Sequence, residues 1–154
     1  NYLKISILRN PITTFLSACN ERYSADNISL SDKVYKYAKR FFEVNQVYLI
    51  EGVNEIDFLI RYEKIYNDFQ ALLKLLKFDI KLADYLKTIH LNKKEDVNKN
   101  KFNTIHKLSD YNIEDIDYIL NHSKYFEIIA KKFNYEKFYQ NEINQIKILL
   151  TKNA

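Results

Sequence analysis

The sequence is short of the residues that make tight turns and covalent cross-links. Its 154 residues include one glycine (Gly52), one proline (Pro11) and one cysteine (Cys19). A single cysteine excludes an internal disulfide framework and a zinc site built from several thiolates. It also favours a reducing compartment, so we expect a cytoplasmic protein. Because the turns of α/β domains usually need several glycines, the deficit favours a mostly helical protein or part of a larger one.

Long apolar runs and a strong charge of one sign are also missing. No stretch approaches 18 consecutive apolar residues, and the basic, apolar and small-residue pattern of a signal peptide is absent. The net charge of +4 is compatible with an anionic ligand but is too small to predict nucleic-acid binding. Since 47% of the residues are hydrophobic, the chain can build the packed core of one soluble domain.

The chain opens with a pattern that predicts a strand followed at once by a helix. Residues 2–8 are mostly apolar strand formers, and Arg9 follows them. Asn10 is suited to cap a helix that has Pro11 at its first position, and Ser17 falls about two turns into that helix. A strand-end arginine and a helix N-terminus both favour an anion. The alternative is a solvent-facing arginine and an ordinary helix serine.

The middle of the chain predicts a second strand and helix. Ser31 and Asp32 are suited to cap a helix that runs to about Val44, and residues 47–50 predict a short extended segment. A buried strand over 56–60 leads into Arg61-Tyr62-Glu63, and a helix over 67–77 follows. A strand followed directly by a helix is the unit that builds parallel sheets.

The second half of the chain predicts helices after a long polar segment. Residues 88–110 are rich in Asn, Lys, Asp and Glu, which predicts an irregular segment. Asn112 is suited to start a helix, another is predicted through Phe133, and a last one from about Glu136 to Lys152.

Three stretches resemble sulfotransferases that use 3′-phosphoadenosine 5′-phosphosulfate, in particular the branch that modifies carbohydrates. Residues 9–18 (Arg-Asn-Pro-Ile-Thr-Thr-Phe-Leu-Ser-Ala) resemble the family's 3′-phosphate-binding segment, which reads Arg-Asp-Pro, a spacer, an apolar pair and Ser-Ala-Tyr. Residues 57–69 resemble its Phe-Ile-x-Arg-Tyr-Glu-Asn-Leu strand and helix. Residues 90–93 and 130–135 are similar to its His-x-Asn loop and closing Asp-Phe-x-x-Phe-Gly-Tyr helix. Three landmarks in the family's order are more specific than any one alone.

The resemblance implies a fold, an α/β class with a P-loop-like three-layer α/β/α arrangement and a parallel sheet. Residues 1–135 would be a helix-rich, C-terminal, nucleotide 3′-phosphate-binding portion without the phosphate-loop strand, and residues 136–154 an extra C-terminal helix. We expect an N-terminal portion or a second chain to supply the loop for the 5′-phosphosulfate and the catalytic base. No membrane segment is expected in this chain.

The resemblance also implies a site. Arg9 and Ser17 would hold the 3′-phosphate of the cofactor, and its product would be adenosine 3′,5′-bisphosphate. Asn92 and Lys93 would close over the nucleotide, although a solvated charge run is an equal alternative for them. The sulfuryl group would pass to a hydroxyl, most simply that of a carbohydrate acceptor. These residue types are suited to bind a phosphate, because arginine offers a permanent charge with paired donors and serine offers a short hydroxyl donor.

The chain departs from the family pattern at four positions. Asn10 replaces an aspartate, Thr14 stands where many relatives carry a second arginine, Cys19 replaces a tyrosine, and Asn134 replaces the closing glycine. Asn10 can still cap a helix, whereas the missing arginine weakens the predicted phosphate contacts. A degenerate, non-catalytic relative therefore stays open, as do a non-enzymatic helical interaction module and another nucleotide-dependent transferase or kinase of the P-loop class.

Other residues have structural explanations that we prefer. Tyr62 and Glu63 are expected to pack and to pair with Arg61 or cap the next helix, and Cys19 to be a buried, inert thiol. The three histidines lack neighbouring ligands at metal spacing, so we predict no metal site. A basic helix face could bind an acidic glycan but is more simply exposed surface. It comprises Lys33, Lys36, Lys39 and Arg40.

Overall fold

The chain is mostly helical and carries a small parallel sheet, which places it in a mixed α/β class. The computed structural model describes residues 2–88 and 105–152, and within them the side chains of all but 45–53, 87 and 88. Two strands and seven α-helices are present in these residues, together with four short 3-10 turns. They are β1 (Ile5–Leu8), α1 (Pro11–Glu21), α2 (Leu30–Gly52), β2 (Phe58–Arg61), α3 (Ile65–Leu75), α4 (Tyr85–Thr88), α5 (Ile113–His122), α6 (Lys124–Lys132) and α7 (Glu136–Lys152). None of these helices combines the length and apolar character that crossing a membrane requires.

The two strands pair in parallel, as the strand and helix order predicts. Their register sets Ile5 against Phe58 and Leu8 against Arg61. Strand β1 is shorter than predicted, because the Asp57 side chain takes the amide hydrogen of Lys4 at 2.8 Å. A carboxylate in that position replaces the next carbonyl of the ladder, so regular pairing starts only at Ile5.

Helix α1 begins as its sequence predicts. The side-chain oxygen of Asn10 accepts the amide hydrogen of Ile12 at 3.0 Å, and Pro11 occupies the first turn. Proline is favoured there because its missing N–H would have no partner within the helix. The departure from aspartate at position 10 therefore preserves the cap.

Helix α2 differs from its prediction at both ends. The Asp32 amide hydrogen is accepted by Ser29 Oγ at 3.1 Å, and the Lys33 amide hydrogen by the Ser29 carbonyl. The cap is therefore Ser29, and the prediction of Ser31 and Asp32 was wrong. The predicted extended segment over 47–50 was also wrong, since α2 continues to Gly52. A short apolar run cannot be assigned to strand or helix by its pattern alone.

Two helices end in left-handed residues that are not glycine. Lys77 and Asn134 both have φ of 58°. The residue that follows each of them donates its backbone N–H back into the helix, as in a Schellman motif. Phe78 donates to the carbonyl of Leu73 at 2.9 Å, and Tyr135 to the carbonyl of Ala130 at 2.8 Å. Asparagine tolerates this conformation, which accounts for Asn134 at the family's glycine position.

The chain's contacts define two compact units. Unit 1 comprises residues 2–9 and 55–88, and unit 2 comprises residues 10–54 and 105–152. In unit 1, β2 packs on α3, and the buried apolar residues of the strands and of α3 are Leu8, Leu59, Ile60, Leu72 and Leu73. In unit 2 the ring of Phe15 lies 5.5 Å from that of Phe41 and 5.9 Å from that of Phe42.

Helix α7 spans the residues predicted for it and belongs to unit 2. It packs against α5 and α6. Its buried side chains recur at alternating spacings of four and three residues, which is the pattern of a helix that buries one stripe. They are Tyr139, Ile143, Ile146 and Leu150.

Candidate anion-binding site

Arg9 and Tyr62 lie together at the carboxyl edge of the parallel sheet in unit 1. Leu8 and Arg61 are register partners at the ends of β1 and β2, so the next residue of each strand falls at the same edge. The guanidinium carbon of Arg9 lies 4.5 Å from the centroid of the Tyr62 ring. Arg9 is half-buried and Tyr62 is 36% exposed. An arginine over an aromatic face is held by the attraction between its charge and the ring.

The neighbouring arginine has a structural partner. Arg61 donates from Nε to Asp68 Oδ2 at 2.9 Å and from Nη2 to Asp68 Oδ1 at 2.6 Å, and its backbone amide also donates to Asp68 Oδ2. Asp68 is 5% exposed and lies in the first turn of α3. This two-point ion pair ties the end of β2 to α3, and sequence reasoning did not assign it. The available signal was Asp68 itself, an acidic residue in the first turn of a predicted helix.

Ser17 lies on α1 in unit 2, where it has a carboxylate partner. Its hydroxyl donates to Glu21 Oε1 at 3.0 Å, one helical turn further on. Ser17 is half-buried and Glu21 is exposed. A phosphate that accepted this hydroxyl hydrogen would have to displace Glu21, whose negative charge also opposes an anion. Sequence reasoning missed this competition, although the spacing of four residues is a signal for it.

The other two predicted site residues, Asn92 and Lys93, lie outside the described residues, as does His90. His106 and His122 are described. The backbone of His106 exchanges hydrogen bonds of 2.8 and 2.9 Å with the side chain of Asn20. The ring of His122 packs 4.5 Å from that of Tyr118. Over residues 2–88 and 105–152, no three His, Cys, Asp or Glu side chains are grouped as metal ligands would be.

Cys19 is fully buried in unit 2, as predicted for a packed thiol. Burial raises its pKa to about 12, and the charge of Lys33 opposes that rise in part. A thiol with this pKa stays protonated at neutral pH and is a poor nucleophile.

Lys33 does not lie on the exposed basic face where its sequence position placed it. It is 1% exposed, so that prediction was wrong. Lysine has a long apolar stem that can pack along a helix face, and a charged head does not by itself predict exposure of the whole side chain. Of the exposed members of that face, Lys36 pairs with Asp26 at 2.8 Å and Lys39 with Glu43 at 3.9 Å. These carboxylates offset the charge available to an acidic glycan.

Asp26, in the loop before α2, accepts hydrogen bonds from two residues of that helix. Lys36 Nζ and the Tyr37 hydroxyl both donate to its Oδ2. These hydrogen bonds lower the pKa of Asp26, and the bond to Asp26 raises the pKa of Lys36 to about 12. The Tyr37 ring stacks on Tyr23 with centroids 4.1 Å apart. Asp26 and Lys36 offset each other's charge, so this cluster adds little net charge to the surface.

No family model, curated protein or solved structure matches the chain. The sulfotransferase resemblance therefore depends on the three sequence landmarks and on how the structure arranges their residues.

Proposed function

We propose that the chain binds 3′-phosphoadenosine 5′-phosphosulfate through its 3′-phosphate and forms the nucleotide-binding part of a sulfotransferase. In this proposal the sulfuryl group passes to a hydroxyl, that of a carbohydrate acceptor. The observation that carries it is the contact of Arg9 with Tyr62 at the carboxyl edge of two parallel strands. Open α/β sheets bind their ligands at this edge.

The contact joins two landmarks that the resemblance identified separately. Arg9 comes from the segment that resembles the phosphate-binding motif, and Tyr62 from the segment that resembles the family's Arg-Tyr-Glu strand end. The parallel pairing of β1 with β2 brings the two segments to one sheet edge, which is the arrangement that a shared binding site needs.

The residues at this edge fit an anion. Arginine keeps its positive charge at all relevant pH values and can contact two phosphate oxygens at once. The Tyr62 ring attracts the charge of Arg9, and this contact orients the guanidinium. Asp68 is engaged by Arg61 in a two-point ion pair. We assign the binding role to Arg9 because it stands in the segment that resembles the phosphate-binding motif.

The remaining parts of the proposal come from the resemblance. Ser17 would donate its hydroxyl to the same phosphate after leaving Glu21, and Asn92 and Lys93 would contact the nucleotide. Sulfuryl transfer needs a donor held in line, donors for the developing negative charge, and a base for the acceptor proton. The cofactor supplies the sulfuryl group, and an N-terminal portion or second chain would complete the three-layer fold and supply the phosphate loop and the base.

A pair of titrations tests the proposal. Calorimetry would compare adenosine 3′,5′-bisphosphate with adenosine 5′-phosphate, which differs only in lacking the 3′-phosphate. We expect the bisphosphate to bind at least about tenfold more tightly than adenosine 5′-phosphate, because one charge-assisted hydrogen bond contributes about this factor in affinity. Equal affinity for the two nucleotides would favour another P-loop enzyme. Binding of neither nucleotide would favour the interaction module.

A further inference from the structure

Helices α5, α6 and α7 of unit 2 surround a cavity of about 310 Å³. Its walls are largely apolar and come from all three helices, with Leu120 on α5, Phe126 and Ala130 on α6, and Tyr139 and Ile143 on α7. Apart from Leu120, these residues are buried. A concave apolar space of this size is typical of sites for small organic molecules. It involves none of the residues proposed for the nucleotide.

One polar side chain lies in the wall of the cavity. Ser123 joins α5 to α6 and is 2% exposed. Its hydroxyl hydrogen points to the Leu120 carbonyl at 3.4 Å, and its oxygen makes no capping hydrogen bond to α6. A hydroxyl oxygen can accept two hydrogen bonds, so Ser123 can receive an N–H donor from a ligand.

The exposed side chains that line the cavity, which we take as its mouth, include more carboxylates than ammonium groups. Glu127 and Lys131 line it from α6, and Glu136 and Gln140 from α7. All four are exposed. Within the described part of the chain, no ion pair involves Glu127, Lys131 or Glu136. Two carboxylates against one ammonium group leave a net negative charge, which attracts a cation.

We propose that this cavity binds an amphipathic amine. The apolar part of the ligand fills the space between the three helices, and its ammonium group lies at the mouth beside Glu127 and Glu136. The apolar walls contribute to the binding free energy by burying the apolar part of the ligand, and the carboxylates at the mouth favour a positively charged head group. Ser123 provides an acceptor inside the cavity for a polar hydrogen carried on the buried part of the ligand.

Three probes that share one apolar body test the proposal. They are 4-phenylbutylamine, 4-phenylbutan-1-ol and 4-phenylbutyric acid, which differ in carrying a positive, neutral or negative head. Each would be titrated into the chain with methyl-labelled Leu and Ile, followed by NMR. We expect saturable shifts at Leu120 and Ile143 with the amine, and a dissociation constant about tenfold lower than that of the alcohol. The acid should bind most weakly.

Variants at Glu127, Glu136 and Gln140, which are all exposed, separate the mouth from the walls without disturbing the core. Glu127→Gln combined with Glu136→Gln should remove the preference for the amine over the alcohol, and Gln140→Trp should weaken both by narrowing the entrance. Glu142→Gln, a carboxylate of α7 that does not line the cavity, is the matched control and should change nothing. The proposal is overturned if no probe binds saturably, if all three probes bind equally, or if the shifts are confined to other methyl groups. It is also overturned if the preference for the amine survives the double substitution.

Discussion

The guanidinium of Arg9 lies over the ring of Tyr62, and the register of two parallel strands puts it there. Leu8 opposes Arg61, so the residues that follow them leave the sheet side by side, with 4.5 Å between the Arg9 guanidinium carbon and the ring centroid. Arg61, next to Tyr62 in sequence, is held by Asp68 instead. At this sheet edge, Arg61 thus forms a two-point ion pair with Asp68, and Arg9 contacts the Tyr62 ring.

The stacking predicts that Tyr62 positions Arg9. Tyr62→Leu removes the aromatic face, and we expect it to weaken binding of adenosine 3′,5′-bisphosphate about two- to fivefold, the range for an exposed cation–π contact. Tyr62→Phe keeps a ring face and should bind within about twofold of the wild type. In the Arg9→Ala background the Leu substitution should have no further effect, which calorimetry of the four proteins can measure. An equal loss in both backgrounds would show that Tyr62 does not act through Arg9.

The bond from Ser17 to Glu21 predicts competition with the ligand. Glu21→Gln removes a negative charge beside the hydroxyl, so we expect affinity for the bisphosphate to rise about two- to fivefold. Ser17→Ala should lower it. Glu43→Gln, an exposed carboxylate on α2, serves as the control for a general change in charge and should have a smaller effect. If Glu21→Gln and Glu43→Gln raise the affinity equally, the role assigned to Ser17 is wrong.

The ion pair of Arg61 with Asp68 predicts a large contribution to stability. Asp68→Ala removes the carboxylate that holds the half-buried Arg61 guanidinium, so we expect the free energy of unfolding to fall by about 3 kcal/mol. Urea denaturation measures the change through the midpoint, provided that the slope is unaltered. Glu55→Gln, which breaks the exposed pair with Lys4, should hardly move the midpoint. Similar shifts from both substitutions would contradict this account.

The left-handed residues predict that glycine stabilises two helix ends. Lys77→Gly relieves the steric cost of φ at 58° and should raise the free energy of unfolding by about 0.5 to 1 kcal/mol, after allowance for the extra freedom of glycine in the unfolded chain. Asn134→Gly should gain less, because asparagine adopts this conformation more readily. Thermal unfolding distinguishes the two. A loss of stability in Lys77→Gly would show that its side chain contributes more than its backbone conformation costs.

Sequence reasoning worked best where local signals decide the structure. The cap at Asn10, the cap at Asn112 with its partner Asp115, and the extent of α7 follow from capping residues and helical spacing. The cap of α2 was missed by two residues because Ser29 and Ser31 carry the same local signal. Their roles depend on where the preceding loop ends.

The features of the site that sequence reasoning missed depend on contacts between distant segments. The Arg9–Tyr62 contact requires the register of β1 and β2, which packing sets and the sequence pattern does not. Burial of Lys33 could not be foreseen from its charge, and the partner of Arg61 lay in the next helix. The shortage of glycine did indicate a mostly helical chain. The two left-handed helix ends that glycine usually occupies are taken here by Lys77 and Asn134.

The most direct test of the central claim is the binding of adenosine 3′,5′-bisphosphate to the wild-type chain and to Arg9→Ala, measured by titration calorimetry. Arg40→Ala, an exposed arginine on α2, is the matched control. We predict that Arg9→Ala costs about 1.5 to 3 kcal/mol of binding free energy while the far-ultraviolet circular dichroism stays unchanged, and that the Arg40 variant binds as the wild type does. Equal affinity of the Arg9 variant and the wild type would contradict the assignment of this sheet edge to the phosphate.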